Sequence, residues 1–276
     1  MFGSVTTDPI FREGSLKKVN IEECIIKNPD GTELSTFRIC PNKEIIQRVD
    51  LLHFLGNSQT AQAVLPQLID ISFNNDCHVT TFNYRGISGS KGIADNINDV
   101  LSDCIIQVED LFRNGVKAKN LIVSGYSLGG GLATKVVSHY HKIGKRIYLF
   151  NDRSFGMLSD VAGAWYGNYL RVFFRNLLSL FNWEIDAVKH YLQIPDRYKR
   201  HINLIGTDDE VVPFYVSLSK RLKDLRMKVS DEFLFYCSDE YRERGHNAPL
   251  SKIINKYGET GEKLLSKFIR EIKGIK

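Results

Sequence analysis

Residues 121–131 read Leu-Ile-Val-Ser-Gly-Tyr-Ser-Leu-Gly-Gly-Gly, and this stretch decides the fold. Its first three residues are apolar and β-prone, as expected of a buried strand. A Gly-x-Ser-x-Gly pattern centred on Ser127 follows at once, and the residues after it, to about residue 141, suit a helix. A strand, a sharp glycine-flanked turn and a helix are the parts of a nucleophile elbow, which holds a serine hydroxyl out at the end of a sheet. A plain Gly-rich turn is the alternative, but the strand before it and the helix after it favour the elbow.

The remainder of the chain alternates between strand-like and helix-like segments. Several of the strand-like runs are apolar throughout, which is typical of a parallel sheet covered by helices on both faces. Residues 21–39 contain two strand-like runs around Asn-Pro-Asp-Gly, which predicts an N-terminal β-hairpin. Strands are predicted at residues 49–55, 77–82, 121–123, 146–150, 201–205 and 233–237, and helices at residues 60–73, 93–112, 132–141, 214–227 and 259–275. The predicted fold class is α/β with a mostly parallel central sheet.

Three glycine-containing stretches follow predicted strand ends, at Gly56, Gly86 and Gly125. In parallel sheets the carboxyl ends of the strands share one edge, and ligands bind outside that edge. The chemistry of this protein is therefore expected at the edge where these three stretches meet.

The alternation breaks at residues 153–200, a segment that looks helical, is rich in aromatic residues and contains no clear strand. One interpretation is a lid over the site, lined with apolar side chains for an acyl group. The other is a helical insertion whose aromatic residues pack on the sheet, as aromatic stripes at helical spacing usually do. Both leave residues 1–276 as one domain with an inserted helical region.

Composition excludes several classes of protein. The chain has 276 residues, of which 43% are hydrophobic and 25% charged, as in an ordinary soluble globular protein. The net charge of +5 comes from Lys and Arg spread along the chain, so nucleic acid is not expected as a partner. The five cysteines form no Cys-x-x-Cys pair, so we expect reduced thiols and neither a metal site nor a cofactor.

A cytoplasmic location is expected from the same sequence. Residues 1–15 carry charge and polarity where a signal peptide has an apolar core. No apolar run approaches the ~20 residues that span a bilayer. Export by a machinery that reads no N-terminal signal stays open.

A serine hydroxyl needs a base to take its proton, and the base needs a partner that fixes its tautomer. If Ser127 is the nucleophile, an acid and then a histidine should follow at later strand ends. Asp209 comes just after the predicted strand at 201–205, and His246 lies in the loop beyond the strand at 233–237. Asp208 is the nearest competitor for the acid.

From residue 49 to residue 246 the chain resembles serine hydrolases of the α/β-hydrolase superfamily. Gly206-x-x-Asp209-x-x-Val212-Pro213 is similar to the superfamily segment that carries the triad acid, and Gly245-His246-Asn247 is similar to the Gly-His-Asn that carries the base. The resemblance implies that Ser127, Asp209 and His246 are catalytic.

The oxyanion hole of such an enzyme needs two backbone N–H groups. The resemblance assigns one to Leu128, the residue after the nucleophile. It assigns the other to Asn57, because Leu55-Gly56-Asn57 stands where the superfamily usually has His-Gly-x. The missing histidine is a departure that affects the loop conformation but not the main-chain donor.

Two further resemblances concern shorter strings. Residues 84–92, Tyr-Arg-Gly-x-Ser-x-Ser-x-Gly, resemble a segment in the branch that includes acyl-protein thioesterases, although a plain Gly-rich turn would also explain them. Residues 54–58 and 83–86 are similar to SidB-like and chlamydial virulence-associated hydrolases. That resemblance implies a bacterial effector delivered into a host cell.

The leading hypothesis is a lipase-like serine hydrolase that cleaves a carboxylic ester or thioester of a small-molecule, lipid or acylated substrate through an acyl-enzyme. The alternatives are a non-catalytic binding protein on a hydrolase scaffold and a serine peptidase on the same fold, since fold does not imply function. The basic, amphipathic helix at residues 259–275 allows peripheral membrane contact, although packing on the sheet is the more economical role for a final helix. The oligomeric state is not predicted.

Overall fold

The computed structural model describes residues 19–206, 208–241 and 244–275. In these residues the strands form one sheet in the order β1-β2-β4-β3-β5-β6-β7-β8-β9. The strands are β1 (Val19–Lys27), β2 (Glu33–Pro41), β3 (Asp50–Phe54), β4 (His78–Phe82), β5 (Leu121–Tyr126), β6 (Tyr148–Asp152), β7 (Lys199–Leu204), β8 (Leu234–Cys237) and β9 (Ile253–Asn255). The predicted α/β class with a mostly parallel sheet is confirmed.

The six strands from β4 to β8 in sheet order are parallel. From β3 the chain first crosses to β4 on one side and later returns to β5 on the other, so the direction of winding reverses between β3 and β5. In open α/β sheets ligands bind at such a switch point, outside the carboxyl ends of the two strands. Asn57 follows β3 and Ser127 follows β5, so both lie at this point.

The antiparallel strands lie at the two ends of the sheet. β1 and β2 form the predicted hairpin, and β2 pairs with β4. At the other end β9 pairs antiparallel with β8. β9 was not predicted, because a strand of three residues is too short to show a period of hydrophobic residues.

The helices cover both faces of the sheet. They are α1 (Ala61–Asn75), α2 (Ile97–Arg113), α3 (Leu128–Lys142), α4 (Leu158–Tyr166), α5 (Arg171–Leu180), α6 (Ala187–Tyr191), α7 (Leu218–Asp224) and α8 (Gly261–Lys273). Right-handed crossovers in opposite directions put α1 on one face and α2 and α3 on the other. α8 packs beside α1.

Local side-chain chemistry sets the helix ends. α2 begins at Ile97 rather than at residue 93, because Asn96 and Asp99 form a capping box. The predicted helix at 214–227 is a 3₁₀ turn followed by α7, since Ser217 caps the N-terminus of α7 through its hydroxyl.

The Tyr-Arg-Gly segment after β4 joins the hairpin to α2. Arg85 is buried and forms two hydrogen bonds, of 2.6 and 2.9 Å, with the carboxylate of Asp103 on α2. It also pairs with Asp30 in the hairpin turn at 3.0 Å. The contacts of Arg85 are therefore those of a structural residue.

The insertion between β6 and β7 contains α4, α5 and α6. Of its aromatic residues, Phe155 and Tyr191 are buried in the core, whereas others are largely exposed. The exposed ones are Trp165, Tyr166, Tyr169, Phe173 and Phe181. The insertion thus has one part packed on the sheet and another part facing solvent.

The final helix, α8, buries its apolar side. Leu264, Leu265, Phe268 and Ile269 lie in the core, and Lys273 donates hydrogen bonds to the carbonyl groups of Asn75 and Asp76 at the end of α1. In the described part of the chain no helix combines the length and apolar character needed to cross a bilayer. The N-terminal stretch considered for a signal peptide, residues 1–15, lies outside the described residues.

Buried histidines make the stability of the fold depend on pH. Burial lowers the pKa of His201 to about 3, and the ring accepts or donates hydrogen bonds with Tyr191 Oη at 2.6 Å and Ser219 Oγ at 3.0 Å. The unfolded chain takes up a proton on this ring below a pH of about 6.5, whereas the native state does not until about 3. Stability is therefore fully present above pH 6.5 and is lost as the pH falls through this window.

The free energy of unfolding of the parent protein should fall between pH 7 and pH 5. We predict that His201→Gln makes this fall smaller by about 2 kcal/mol, because the variant lacks the ring that is protonated only in the unfolded state. Urea unfolding at both pH values measures this loss. His139→Gln, at an exposed position on α3, is the matched control and should leave the loss unchanged. If the free energy of unfolding depends on pH equally in the His201 variant and in the parent protein, the lowered pKa of His201 is contradicted.

Candidate active site

Ser127 lies at the junction of β5 and α3 in a strained backbone conformation. Its φ and ψ are 53° and −115°, a combination that non-glycine residues rarely adopt. The Ser127 N–H donates to the carbonyl of Asp152 at the end of β6, at 2.9 Å. The predicted strand–turn–helix is therefore present, and the turn has the strain expected of a nucleophile elbow.

The glycines on either side of Ser127 are required by close backbone approach. A Cβ on Gly125 would lie 2.1 Å from the carbonyl oxygen of Gly129. A Cβ on Gly129 would lie 2.3 Å from the carbonyl oxygen of Phe54, the last residue of β3. The turn can therefore pack against the end of β3 only when both positions lack a side chain.

Two backbone N–H groups are available beside Ser127. Leu128 is the first residue of α3, so its N–H has no partner within the helix. Neither this N–H nor that of Asn57 has an acceptor among the described residues. Asn57 is exposed in the loop after β3, where Gly56 N–H is held by the Gln59 side chain at 2.8 Å.

The structure brings Asp209 and His246 together, 37 residues apart in sequence. His246 Nδ1 lies 2.9 Å from the Asp209 carboxylate, and both side chains are almost completely buried. Asp209 also accepts hydrogen bonds from the N–H groups of Val211 and Val212, at 3.1 and 2.7 Å. Because a carboxylate only accepts, His246 Nδ1 carries the proton and Nε2 is left as an acceptor.

Asp208 has a different role from Asp209. Its carboxylate accepts a hydrogen bond from Cys237 N–H at the end of β8, at 2.9 Å, so it joins the loop that carries Asp209 to the sheet. Glu210, on the other side of Asp209, accepts a hydrogen bond from His246 N–H at 3.1 Å. The three consecutive acidic residues thus hold the strand, the histidine ring and the histidine backbone respectively.

A second serine–histidine pair lies beneath the elbow. His53 Nδ1 on β3 and Ser124 Oγ on β5 are 2.9 Å apart. Burial lowers the pKa of His53 to about 4, against the opposing effect of the Asp152 charge. Both residues lie within strands rather than at strand ends, so this pair joins β3 to β5 and Ser124 is not presented to a ligand.

Sequence reasoning missed Asp152, the last residue of β6, and Arg153, which follows it. Arg153 is buried in the left-handed region, with φ of 48°, and its Nε and Nη2 bond the Asp152 carboxylate at 2.8 and 2.9 Å. Its Nη1 donates to the carbonyl groups of His246 at 2.9 Å and Gly245 at 3.3 Å, and also to that of Ala248. Burial alone would lower the pKa of Arg153, but the Asp152 charge outweighs burial and the pKa is raised.

Tyr126 completes this cluster. Its hydroxyl donates to the His246 carbonyl at 2.6 Å, and its ring lies against the His246 ring and 4.9 Å from the Arg153 guanidinium. Asp152 and Arg153 come soon after the predicted apolar strand at residues 146–150. Two adjacent charged residues in that place could have indicated a site position, since every other motif of the site also follows a strand.

The Ser127 hydroxyl and His246 are not hydrogen-bonded in this structure, although both lie at the carboxyl edge of the sheet. Catalytic serine–histidine contacts are often long without substrate and tighten when it binds. Beside the two residues lies a cavity of about 570 Å³, lined by their chain neighbours Tyr126 and Asn247 and by His53. Neither Ser127 nor His246 is among the described residues that line it.

Among the described residues no three His, Cys, Asp or Glu side chains come together in a group that could hold a metal ion. All five cysteines are free, and Cys77, Cys104 and Cys237 are buried.

The strain at Ser127 predicts an unusual order of stability. We expect Ser127→Gly to be more stable than Ser127→Ala by about 1 kcal/mol, because glycine relieves strain of about 1–3 kcal/mol and loses part of that gain through the entropy of the unfolded chain. Urea unfolding of the two variants measures the difference.

The control is Ser179, an exposed position on α5, where alanine should be more stable than glycine by about 1 kcal/mol. The same order at both positions would show that the backbone at Ser127 is unstrained.

Comparisons with known proteins agree with this architecture. An acetyl xylan esterase from Paenibacillus sp. R4 superimposes with a TM-score of 0.58 and 16% identity, over 83% of this chain and 80% of that one. An esterase from Pyrococcus furiosus gives a TM-score of 0.56 and 18% identity, over 80% of this chain and 81% of that one. An α/β hydrolase from Vibrio vulnificus gives a TM-score of 0.56 and 16% identity, over 75% of this chain and 68% of that one. At these identities the likeness shows the α/β-hydrolase fold.

No curated protein matches the sequence. The family model described as Chlamydia CHLPS protein (DUF818) matches residues 46–196, more than half of the chain and including the elbow. The match ends before Asp209 and His246 and does not include these two residues. The chain belongs to the Chlamydia CHLPS protein family (DUF818), and its fold is that of the α/β hydrolases.

Proposed function

We propose that this protein is a serine hydrolase that cleaves a carboxylic ester or thioester through an acyl-enzyme on Ser127. The observation that carries the proposal is the buried Asp209–His246 pair at the same sheet edge as a serine in a strained elbow. A buried carboxylate aimed at Nδ1 leaves Nε2 to act as a base. The esterases among the structural neighbours support ester hydrolysis as the reaction class.

In the proposed first step His246 Nε2 takes the hydroxyl proton of Ser127 while Oγ attacks the substrate carbonyl carbon. The negative charge develops on the carbonyl oxygen, where the N–H groups of Leu128 and Asn57 stabilise it. The carbon–oxygen or carbon–sulfur bond then breaks, and the leaving group takes the proton from His246.

In the second step a water molecule gives a proton to His246 and attacks the acyl carbon. The bond to Ser127 breaks, the acid is released and Ser127 recovers its proton. Asp209 stabilises the imidazolium that forms in each step and holds the ring in one tautomer.

Arg153 is proposed as a positioning residue for this reaction. It holds the carbonyl groups on either side of the His246 ring, while its partner Asp152 accepts the Ser127 N–H. The nucleophile and the base are thereby fixed to the same pair of residues, and small misplacement of reacting groups is costly to the rate.

We predict that Ser127→Ala abolishes labelling by a fluorophosphonate and lowers hydrolysis of short p-nitrophenyl esters by at least about 10⁴-fold, because the attacking oxygen is gone. Ser124→Ala, three residues earlier on β5, is the matched control and should keep labelling, since the Ser124 hydroxyl contacts His53. Labelling of the Ser127 variant at another residue would contradict the proposal that Ser127 is the nucleophile. No labelling of the parent protein would favour a non-catalytic binding role.

The choice of acid predicts a contrast between neighbours. Asp209→Asn should lower kcat by roughly 10³- to 10⁴-fold, because the amide leaves His246 in the wrong tautomer. Asp208→Asn should retain most of the activity, since Asp208 holds only the end of β8. Initial rates on the same esters measure both, and similar losses would exclude a distinct role for Asp209.

The positioning role of Arg153 predicts that Arg153→Lys lowers kcat at least about tenfold with little change in KM, because lysine keeps the charge but cannot bond Asp152 and the carbonyl groups together. Arg200→Lys is the matched control: Arg200 also pairs with a carboxylate, Glu271, and lies over the Phe268 ring, away from the site. Equal effects of the two changes on kcat would indicate a merely structural role.

The peptidase alternative and the choice between ester and thioester need a substrate series. Esters, thioesters and amides of graded acyl chain length, with the parent protein and Ser127→Ala side by side, separate these reactions.

A further inference from the structure

The α5 helix has a second apolar face that points to solvent. Its inner side includes Phe174, whose ring contacts Tyr166 on α4 and the neighbouring Phe173. The outer side repeats apolar residues at helical spacing, and no residue of α5 is buried. We call these outer residues the outer face: Tyr169, Val172, Phe173, Leu177, Leu180 and Phe181.

The exposure of the outer face is large. Tyr169 is 84% exposed, Leu180 76% and Val172 69%, and Phe173 and Phe181 exceed half. Scattered single apolar residues are normal on a surface, but a contiguous run of this kind marks an interaction site. The end of this segment is joined to the start of α2, because Ile97 N–H bonds Asn182 O at 2.9 Å.

The charges around the outer face favour an anionic lipid surface as its partner. Residues 161–183 contain no Asp or Glu, and their charged residues are Arg171, which is paired with Asp160, and Arg175. Arg175 is exposed beside the apolar stripe. Trp165 and Tyr166 stand exposed at the end of α4, and an apolar stripe with arginine, tryptophan and tyrosine is the composition of helices that lie in a membrane interface.

A second copy of the chain fits this surface less well. A two-fold contact would place the same patch on both subunits, so the Arg175 residues would approach each other without an acidic partner in residues 161–183. Lipid headgroups supply the missing negative charge, and acyl chains supply apolar contacts for the stripe.

α4, the helix before α5, contacts the loop that carries Asp209. Trp165 Nε1 donates to the carbonyl of Val211 at 2.8 Å, and Val211 N–H bonds Asp209. Docking through α5 would therefore bring the membrane to the helix pair whose first member, α4, contacts this loop.

We propose that the outer face of α5 docks the protein onto anionic membranes. Resting on the proposed function, this places ester lipids of the bilayer, rather than freely diffusing esters, in the substrate class. The docking itself needs no catalysis, so it is measured on Ser127→Ala as well as on the parent protein.

The test is co-sedimentation with phosphatidylcholine vesicles that contain roughly one third phosphatidylserine, with phosphatidylcholine alone as the comparison. We expect binding to the anionic vesicles and at least a tenfold lower partition coefficient for Phe173→Ser with Leu180→Ser. Ile46→Ser with Leu225→Ser is the matched control, because both residues are more than half exposed and lie outside the insertion. Arg175→Glu should weaken binding, whereas Lys267→Glu on α8 should not.

Three outcomes would overturn the proposal. They are no binding to either vesicle, binding that the paired α5 change leaves intact, and a dimer in solution that the same change disperses. Because all altered α5 residues are exposed, an unchanged thermal unfolding midpoint and unchanged hydrolysis of a soluble ester verify that the variants are folded. Vesicle binding without fluorophosphonate labelling would leave the docking in place and remove the proposed hydrolase function.

Discussion

The arrangement of the site depends on the buried ion pair at the end of β6. Asp152 accepts the Ser127 N–H through its carbonyl, and its carboxylate holds the Arg153 guanidinium, which in turn binds the carbonyl groups around His246. Three separate strands thereby meet in one cluster of hydrogen bonds. Removing one partner from such a buried pair leaves an uncompensated charge, which typically costs about 3–5 kcal/mol. The pair therefore couples the geometry of the site to the stability of the sheet.

The fold was predictable because its signals are local and repeated. Apolar strands alternating with helices, together with the elbow at residues 121–131, gave the α/β-hydrolase fold, and the structure confirms it. The resemblance to chlamydial proteins is confirmed by the family match over residues 46–196. β9 and the late start of α2 escaped prediction, the first because it is too short to have a period and the second because a capping box overrides apolar spacing.

The site was predictable where a residue follows a strand in a recognisable motif, as Ser127, Asp209 and His246 do. The structure brings the last two into contact and puts the first at the same edge, while their roles in a reaction stay a proposal. The sequence places the Asp152–Arg153 pair after an apolar strand, but it does not show what Arg153 binds, because the carbonyl groups of Gly245 and His246 lie more than 90 residues away and carry no sequence signature. The outward apolar face of α5 was hidden for a related reason, since periodicity locates an apolar stripe but not the side that the fold leaves uncovered.

The order of strands in the sheet has a consequence for how the protein folds during its synthesis. β3 and β5 are neighbours, yet residues 53 and 124 must find each other across a complete helix, strand and helix. Non-local pairings of this kind form slowly, and during synthesis the N-terminal part folds first. Because the N-terminal part is made first, a nascent chain can form the turn at Ser127 well before Asp209 and His246 have left the ribosome. The serine turn would form early, and the Asp209–His246 pair that we propose as acid and base would join it only after the last third of the chain has been made.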